Sequence, residues 1–243
     1  MILNSDDPYT AVLRPRAACR VVTFGLSDGD IRACEINRDS PWPIFTLDIR
    51  GIRQRIKLAV PGRHLIGNAL AAAALADQLG IAPADIAAGL EAFAGVAGRM
   101  QLDTHAGIQI LNDAYNANPV SMHAALETLA GLAGVSRRIA VVGDMLELGD
   151  EAPRYHREIG ASAAALALDQ LLIIGTYASD TADGAHAGGM RSEQIRTFAD
   201  RDHLADYLAA QVRPGDAVLL KGSRRMGLDT LVETLRATTR SQR

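Results

Sequence analysis

The sequence predicts an α/β protein built in two parts. From residue 100 onward, apolar runs of strand length alternate with amphipathic helical segments, which is typical of a parallel sheet covered by helices on both faces. Before residue 61, short β-branched runs are separated by turn residues, and two alanine-rich helical segments follow them. The sequence therefore predicts a C-terminal Rossmann-like domain with a mostly parallel sheet, preceded by a small β subdomain and two helices.

The composition is that of a globular protein and argues against several classes. Of the 243 residues, 48% are hydrophobic and 22% are charged, which suffices for a sizeable core. The net charge of −3 gives no electrostatic reason to expect nucleic acid or an anionic membrane as a partner. No apolar run reaches about 18 residues, so we expect no membrane span.

Two further features bear on the origin of the chain. Cys19 and Cys34 have neither metal-site spacing nor the density of a secreted disulfide framework, which favours the cytoplasm. Met1 begins inside an apolar run that reaches an Asn/Asp/Pro turn within a few residues. We therefore expect a fragment of a longer protein.

The first part of the chain is expected to hold short strands and then two helices. The strands are predicted at Arg20–Phe24, Ile31–Ile36, Ile44–Ile49 and Arg55–Val60, as a small antiparallel sheet or edge subdomain. The helices are predicted at Leu65–Leu79 and Pro83–Phe93. The small-residue stretch Gly95–Gly98 is typical of a joint, so we place the domains at residues 1–98 and 99–243.

The second part is expected to alternate strands and helices. Strands are predicted at Met100–Thr104, Ile108–Leu111, Arg138–Val142, Gln170–Ile174 and Ala217–Leu220, and helices at residues 120–131, 153–167, 202–211 and 226–236. Between Ile174 and the helix at residue 202 we predict a glycine-rich connection.

Polar residues follow the predicted strands where each strand ends. They are Asn112, Asp113 and Asn116 after one strand, Asp144 and Met145 after the next, and Lys221, Ser223 and Arg224 after the last. The carboxyl ends of parallel strands meet at one edge of a sheet, so these groups are expected to lie close together. Such a set suits a phosphorylated or carboxylated ligand.

Simpler interpretations exist for the same residues. Asn and Asp also favour caps and turns, and residues 221–225 could be a solvated basic turn. We favour the binding interpretation because Gly222 permits close backbone approach to a ligand. Lys221 itself is expected to be solvated at the strand end in the absence of ligand.

Other nucleotide-binding signals are weak or missing. Asn68 lies in the first turns of a predicted helix, where its amide could read a base edge or cap, and Arg99 lies at the predicted joint. The sequence has no G-x-x-x-x-G-K-[ST] loop and no G-x-G-x-x-G after a strand, and its histidines have no metal-type spacing.

Taken in order, several stretches resemble the Mur ligases. They are Gly62-Arg-His64 with Asn68, then Gly98-Arg99, Asn112-Asp-Ala-Tyr-Asn-Ala-Asn-Pro119, Gly143-Asp-Met-Leu-Glu-Leu-Gly149 with His156, and Lys221-Gly-Ser-Arg224. The third and fourth stretches resemble the branch that adds D-alanyl-D-alanine. One departure is Leu65, where the family usually carries Asn.

The resemblance implies a fold, an activity and a cofactor. Residues 1–98 would be the C-terminal half of the central ATP-binding domain, and residues 99–243 the Rossmann-like C-terminal domain. The implied reaction joins D-alanyl-D-alanine to UDP-MurNAc-tripeptide through an acyl phosphate, in a cytoplasmic, monomeric, ATP-dependent ligase of peptidoglycan synthesis. The phosphate-binding loop and the Mg²⁺ ligands of the family would lie upstream of Met1, so this chain alone is expected to be inactive.

The resemblance also implies roles for single residues. Asn68 would contact adenine, Arg99 the phosphates or ribose, and Asp113 the ribose, with Asn116 in the same nucleotide-side loop. Lys221, Ser223 and Arg224 would face the acyl phosphate and the dipeptide. Asp144 and Met145 would lie nearby on the substrate side.

Two alternatives remain open from the sequence. One is a non-catalytic Rossmann-like binding module, which the missing phosphate-binding loop favours for this polypeptide. The other is a different member of the superfamily, such as a folylpolyglutamate or cyanophycin synthetase, and the Asn-Ala-Asn-Pro motif argues against it.

Overall fold

The computed structural model describes residues 1–37 and 39–238. The chain divides into two compact units, residues 1–94 and 95–243, and each is considered by itself. The domain limits 1–98 and 99–243 stay a prediction. No helix within residues 1–37 and 39–238 combines the length and the hydropathy that a membrane span needs.

Within residues 1–37 and 39–94, the first unit is built on a five-stranded mixed sheet. Its strands are β1 (Ile2–Asn4), β2 (Val22–Gly25), β3 (Ile31–Cys34), β4 (Ile44–Ile49) and β5 (Ile52–Lys57), paired in that order. β1, β2 and β3 pair in parallel, whereas β4 is antiparallel to both of its neighbours. The expected antiparallel pairing is therefore confirmed for β3 with β4 and for β4 with β5, and it is wrong for β2 with β3. The sequence did not predict β1 as a strand.

The connection between β2 and β3 is held by side-chain hydrogen bonds between Asp30 and Thr23. The Asp30 carboxylate accepts a hydrogen bond of 2.9 Å from the backbone N–H of Thr23 and another from its hydroxyl. Gly29 adopts a φ of 134°, which a residue with a side chain rarely adopts. A side chain thus bonds the Thr23 N–H, and the sequence signal for a turn at Ser27–Asp30 did not reveal that the strands on either side run in parallel.

Helices cover this sheet and close the first core. A short helix, α1 (Thr10–Leu13), connects β1 to β2, and the predicted long helices are confirmed as α2 (Leu65–Gln78) and α3 (Pro83–Ala92). The buried side of α2 carries Ile66, Leu70 and Ala73, whose small and branched side chains pack on the strands. Burial of each large aliphatic side chain contributes about 1.5–3 kcal/mol, so this face of α2 sets its position.

The second unit, described to residue 238, contains a six-stranded sheet. Its strands are β6 (Gln101–His105), β7 (Ile108–Asn112), β8 (Arg137–Val142), β9 (Gln170–Ile174), β10 (Ile195–Phe198) and β11 (Asp216–Lys221). They pair in the order β10-β9-β8-β11-β7-β6, and only the edge strand β6 is antiparallel among them. The predicted mostly parallel sheet is confirmed.

The helices of this unit are α4 (Pro119–Gly131), α5 (Ala152–Ala165), α6 (Ala178–Ala187), α7 (Arg201–Gln211) and α8 (Leu231–Thr238). One prediction is wrong here, because the segment expected as a glycine-rich connection contains α6 and β10. Gly184 is explained by a close helix contact and not by a loop, since it lies against the backbone of α5. The helix predicted from residue 226 begins only at Leu231, after two short 3₁₀ turns.

The central strand β11 carries the candidate site. All of its residues are buried, and β7 and β8 pair with it on either side in parallel register. Lys221 is its last residue and pairs with Val142 at the end of β8. The loops that follow these three strands therefore emerge at the same edge of the sheet.

Candidate functional site

Loops after β8 and β11 are joined by backbone and hydroxyl hydrogen bonds. The Gly143 N–H donates to the carbonyl of Lys221 at 2.8 Å, and the Ser223 N–H donates to the carbonyl of Asp144 at 2.9 Å. The Ser223 hydroxyl accepts the N–H of Leu146 at 2.9 Å. Ser223 therefore holds the two loops together, and the residue is only 5% exposed.

Gly222 has an internal reason for being glycine. A Cβ at this position would lie 3.1 Å from Leu228 Cδ1 and 3.2 Å from Gly143 Cα. Both distances are tighter than ordinary van der Waals contact. The two loops pack closely here, so this glycine is explained without the approach of a ligand.

Lys221 is buried at the end of its strand, and the expectation that it is solvated is wrong. Its side chain is 1% exposed. The ammonium group donates to Asp113 Oδ2 at 2.5 Å, to the carbonyl of Asn116 at 3.1 Å and to the carbonyl of Asp113 at 3.4 Å. An ammonium group has three protons, and here each has an acceptor in the loop after β7.

The surroundings of Lys221 shift the pKa of its ammonium group in two opposite directions. Burial lowers the pKa of the Lys221 ammonium below its usual range, and the Asp113 carboxylate opposes that fall. The positive charge of Arg99 adds to the lowering of this pKa. The charged pair is therefore held by its hydrogen bonds against a cost of desolvation.

Asp113 uses both carboxylate oxygens within the unit. Oδ2 accepts from Lys221, and Oδ1 accepts the backbone N–H of Met100 at 3.0 Å. The residue is 8% exposed. Asn116, in the same loop, gives its carbonyl to Lys221 and is itself exposed.

Asp144 lies at the N-terminus of α6. Its carboxylate accepts the N–H groups of Thr176 at 2.8 Å and Tyr177 at 3.1 Å, as an anion at a helix N-terminus does. Gly175 must be glycine for this contact, because a Cβ there would lie 2.3 Å from Asp144 Oδ1. Asp144 thus ties the loop after β8 to the loop after β9.

His156 is a site residue to which sequence reasoning gave no role. Its Nδ1 lies 2.7 Å from the carbonyl of Ala152, four residues earlier on α5, and its Nε2 accepts the N–H of Met145 at 3.0 Å. This pattern uses the ring protonated on Nδ1. The ring also stacks on Tyr177 with centroids 4.6 Å apart, and Met145 is fully buried. The family-like motif contained His156, but a partner eleven residues away in a loop leaves no sequence signal.

The exposed groups of the site surround Tyr115. The guanidinium carbon of Arg99 lies 4.1 Å from the Tyr115 ring centroid, and that of Arg224 lies 5.3 Å from it. Tyr115 is 41% exposed, and both arginines are exposed. A groove of about 310 Å³ opens beside Tyr115 and Arg224, and its lining also includes Asn112 and the acidic residues Asp229 and Glu233. Two cations on one ring make this surface suitable for an anion.

The structure thus brings together eight of the nine residues proposed from sequence. These are Arg99, Asp113, Asn116, Asp144, Met145, Lys221, Ser223 and Arg224, all in the second unit. Asn68 belongs to the first unit, where it is exposed on α2. Among residues 1–37 and 39–238, no group of three or more His, Cys, Asp or Glu side chains is placed to hold a metal ion.

Two family models match separate parts of the chain. Residues 1–76 match the Mur ligase middle domain, and residues 98–224 match the family described as Mur ligase, glutamate ligase domain. The chain belongs to the Mur ligase family.

Individual relatives give a more detailed comparison. The UDP-N-acetylmuramoyl-tripeptide–D-alanyl-D-alanine ligase of Mycobacterium tuberculosis is 37% identical over 97% of this chain and 50% of its own length. A crystal structure of MurF from Acinetobacter baumannii superimposes with a TM-score of 0.86 at 32% identity, over 97% of this chain and 51% of that one. MurF from Thermotoga maritima in complex with ADP has the same fold, with a TM-score of 0.83 at 24% identity over 100% of this chain and 54% of that one. The chain spans about half the length of the curated relatives it matches.

Proposed function

We propose that this chain is the C-terminal half of an ATP-dependent ligase that joins D-alanyl-D-alanine to UDP-MurNAc-tripeptide in peptidoglycan synthesis. The observation that carries the proposal is the loop Asn112–Pro119, held at the carboxyl edge of the sheet with the exposed guanidinium groups of Arg99 and Arg224 both over the Tyr115 ring. Relatives of this chain that are named UDP-N-acetylmuramoyl-tripeptide–D-alanyl-D-alanine ligase are 32–37% identical to it over 97% of its length, and they support the choice of reaction.

The residues of the edge divide into two kinds in this proposal. Arg99, Arg224 and the exposed side chain of Asn116 are free to meet ligand, so we assign them to phosphoryl and nucleotide contacts. Ser223, Asp144 and His156 hold the loops from within. Preorganised positive charge of this kind stabilises the charge that develops during phosphoryl and acyl transfer.

The remaining assignments follow the family resemblance. Asn68, exposed on α2, would contact adenine, and Asp113 would contact ribose only through lone pairs that its two internal bonds leave over. Met145 is fully buried, so we give it a supporting role beside the substrate.

ATP and Mg²⁺ are the cofactors of the proposed reaction. ATP supplies the phosphoryl group that activates the tripeptide carboxylate. The exposed guanidinium groups of Arg99 and Arg224 fit an anionic group of this kind. For Mg²⁺ we assign no ligand in this chain. A cytoplasmic location and a monomeric state belong to the proposal as well.

A hybrid enzyme tests the proposed function. Residues 1–243 are joined to the upstream half of MurF from Acinetobacter baumannii, replacing its matching half. We expect phosphate release that requires ATP, UDP-MurNAc-tripeptide and D-alanyl-D-alanine together. The matched control carries Arg224→Met and should retain the fold but lose most of this activity.

Two results would contradict the proposal. One is a folded hybrid that releases no phosphate with the three substrates. The other is a hybrid that releases phosphate equally well with glutamate in place of the dipeptide, which would favour the folylpolyglutamate-type alternative.

A further inference from the structure

We propose that Lys221 is a positioning residue, which holds the loop Asn112–Asn118 and the segment Gly98–Met100 in one arrangement and does not touch the reacting groups. The effect of Lys221 on catalysis rests on the proposed function, whereas its role in holding the loop and the segment does not. The resemblance to the Mur ligases had assigned Lys221 to the acyl phosphate and the dipeptide.

The first argument is the saturation of the ammonium group. Its three acceptors are the Asp113 carboxylate and the carbonyls of Asp113 and Asn116, and all belong to a single loop. At 1% exposure the side chain has no surface from which to reach a ligand. To contact one, it would have to break all three bonds and leave the two acceptors on buried Asp113 without this donor, which is strongly unfavourable.

The second argument is that hydrogen bonds connect Asp113 and its loop to the segment Gly98–Met100. Asp113 Oδ1 accepts the N–H of Met100, and the N–H of Tyr115 donates to the carbonyl of Gly98 at 3.0 Å. Met100 is 3% exposed and has a φ of 48°, a left-handed conformation that needs support from its surroundings. Lys221 therefore supports, through Asp113, the backbone on which Arg99 is placed over Tyr115.

The third argument concerns distance along the chain. Lys221 and Asp113 are separated by 108 residues, and their bond ties the end of β11 to the loop after β7. The backbone bond from Asp113 N–H to the Leu220 carbonyl fixes only the first residue of that loop. The ammonium reaches further, to the carbonyl of Asn116, so the loop is held on both sides of Tyr115.

Hydrogen exchange in the 243-residue chain tests the structural part. The variants are Lys221→Met, the double variant Lys221→Met with Asp113→Asn, and Lys57→Met as the control at the other lysine of the chain, which is exposed. We expect the amides of Met100 and Tyr115 to exchange at least about tenfold faster in both Lys221 variants, while the amide of Val141 in β8 keeps its protection. The control should match the wild type.

The double variant keeps the test valid if Lys221→Met alone fails to fold. Lys221→Met leaves the Asp113 carboxylate buried without its partner, so this variant could unfold the second unit. The double variant removes both charges and should remain folded. Wild-type exchange at Met100 and Tyr115 in the folded double variant would overturn the proposal.

Kinetics of the hybrid enzyme test the consequence for catalysis. If Lys221 acts through Asp113, the fold-loss in kcat/KM of the double variant should be smaller than the product of the losses of Lys221→Met and Asp113→Asn. Losses that multiply, together with unchanged exchange, would assign Lys221 to direct ligand contact. A wild-type hybrid without ligase activity would reject the proposed function, and the exchange measurement would still decide the positioning role.

Discussion

Gly160 on α5 and Thr181 on α6 approach so closely that a Cβ on Gly160 would lie 1.9 Å from the Thr181 carbonyl oxygen. The contact is reciprocal, because a Cβ on Gly184 would lie 1.9 Å from the Arg157 carbonyl oxygen. Both obstacles are backbone atoms, which cannot turn aside as a side chain can. The two helices can therefore pack at this distance only if both positions are glycine.

We expect Gly160→Ala or Gly184→Ala to lower the free energy of unfolding by at least about 2 kcal/mol, because the helices must move apart. Gly67→Ala is the matched control, since this glycine lies inside α2 with nothing within 4 Å of its Cβ position. There alanine should stabilise by about 0.5–1 kcal/mol. Urea unfolding followed by far-ultraviolet circular dichroism measures both, and equal effects at positions 67 and 160 would contradict the account.

The acid stability of the first unit should depend on Asp48. The N–H of Gly51, and then Arg32, hold the pKa of this buried carboxyl below its usual range. A depressed folded pKa gives stability that is present above the unfolded pKa of about 3.9 and is lost as the pH falls through the folded value.

We therefore expect Asp48→Asn to flatten the loss of stability of the first unit below about pH 4. Trp42, the single tryptophan of the chain, reports unfolding of this unit by fluorescence. Asp85→Asn, at an exposed position on α3, is the control and should leave the acid limb unchanged. If Asp48→Asn leaves the loss of stability below about pH 4 as it is in the wild type, Asp48 does not contribute to the acid stability of this unit.

Arg224 and Arg225 are adjacent arginines, so comparing their substitutions tests whether the position of the charge matters for catalysis. Both are exposed, but only Arg224 has its guanidinium over Tyr115. In the hybrid enzyme, Arg224→Met should lower kcat/KM by about a hundredfold, as loss of one preorganised donor does. Arg225→Met should change it by less than about threefold, and both should leave stability within about 0.5 kcal/mol. Similar losses for the two variants would point to net charge instead of a placed contact.

The 243-residue chain by itself is expected to fold without acting as a ligase. No G-x-x-x-x-G-K-[ST] loop occurs in its sequence, and such a loop cradles the β- and γ-phosphates of ATP. Phosphate release by the purified chain, in the presence of ATP and both peptide substrates, measures this. Release that depends on D-alanyl-D-alanine would prove the expectation wrong.

Much of the second unit could be predicted because its strands are continuous apolar runs. Gln170–Ile174 has the predicted bounds, β7 and β8 are each one residue longer than predicted at one end, and β11 is one residue longer at each end. The helix Ala178–Ala187 was missed because Gly184 and Thr181 are weak helix formers, and Gly184 is required by the contact with α5. Tertiary contact overrides local propensity there.

The site could be predicted in position but not in its internal bonds. The sheet-edge rule gathers Asp113, Asp144 and Lys221 from three loops without any knowledge of contacts. It could not reveal that the Lys221 ammonium is buried against Asp113, because pairs 108 residues apart leave no local pattern. Nor could it separate exposed Arg224 from buried Ser223, two adjacent residues with opposite environments.

The identity of the product of the hybrid enzyme tests the central claim most directly. UDP-MurNAc-tripeptide and ATP are supplied with D-alanyl-D-alanine, glutamate and alanine in equal amounts, and the product is analysed by mass spectrometry. The account predicts a single product whose mass has increased by that of the dipeptide less one water. A product that carries glutamate or alanine, or consumption of ATP with no ligated product, would contradict it.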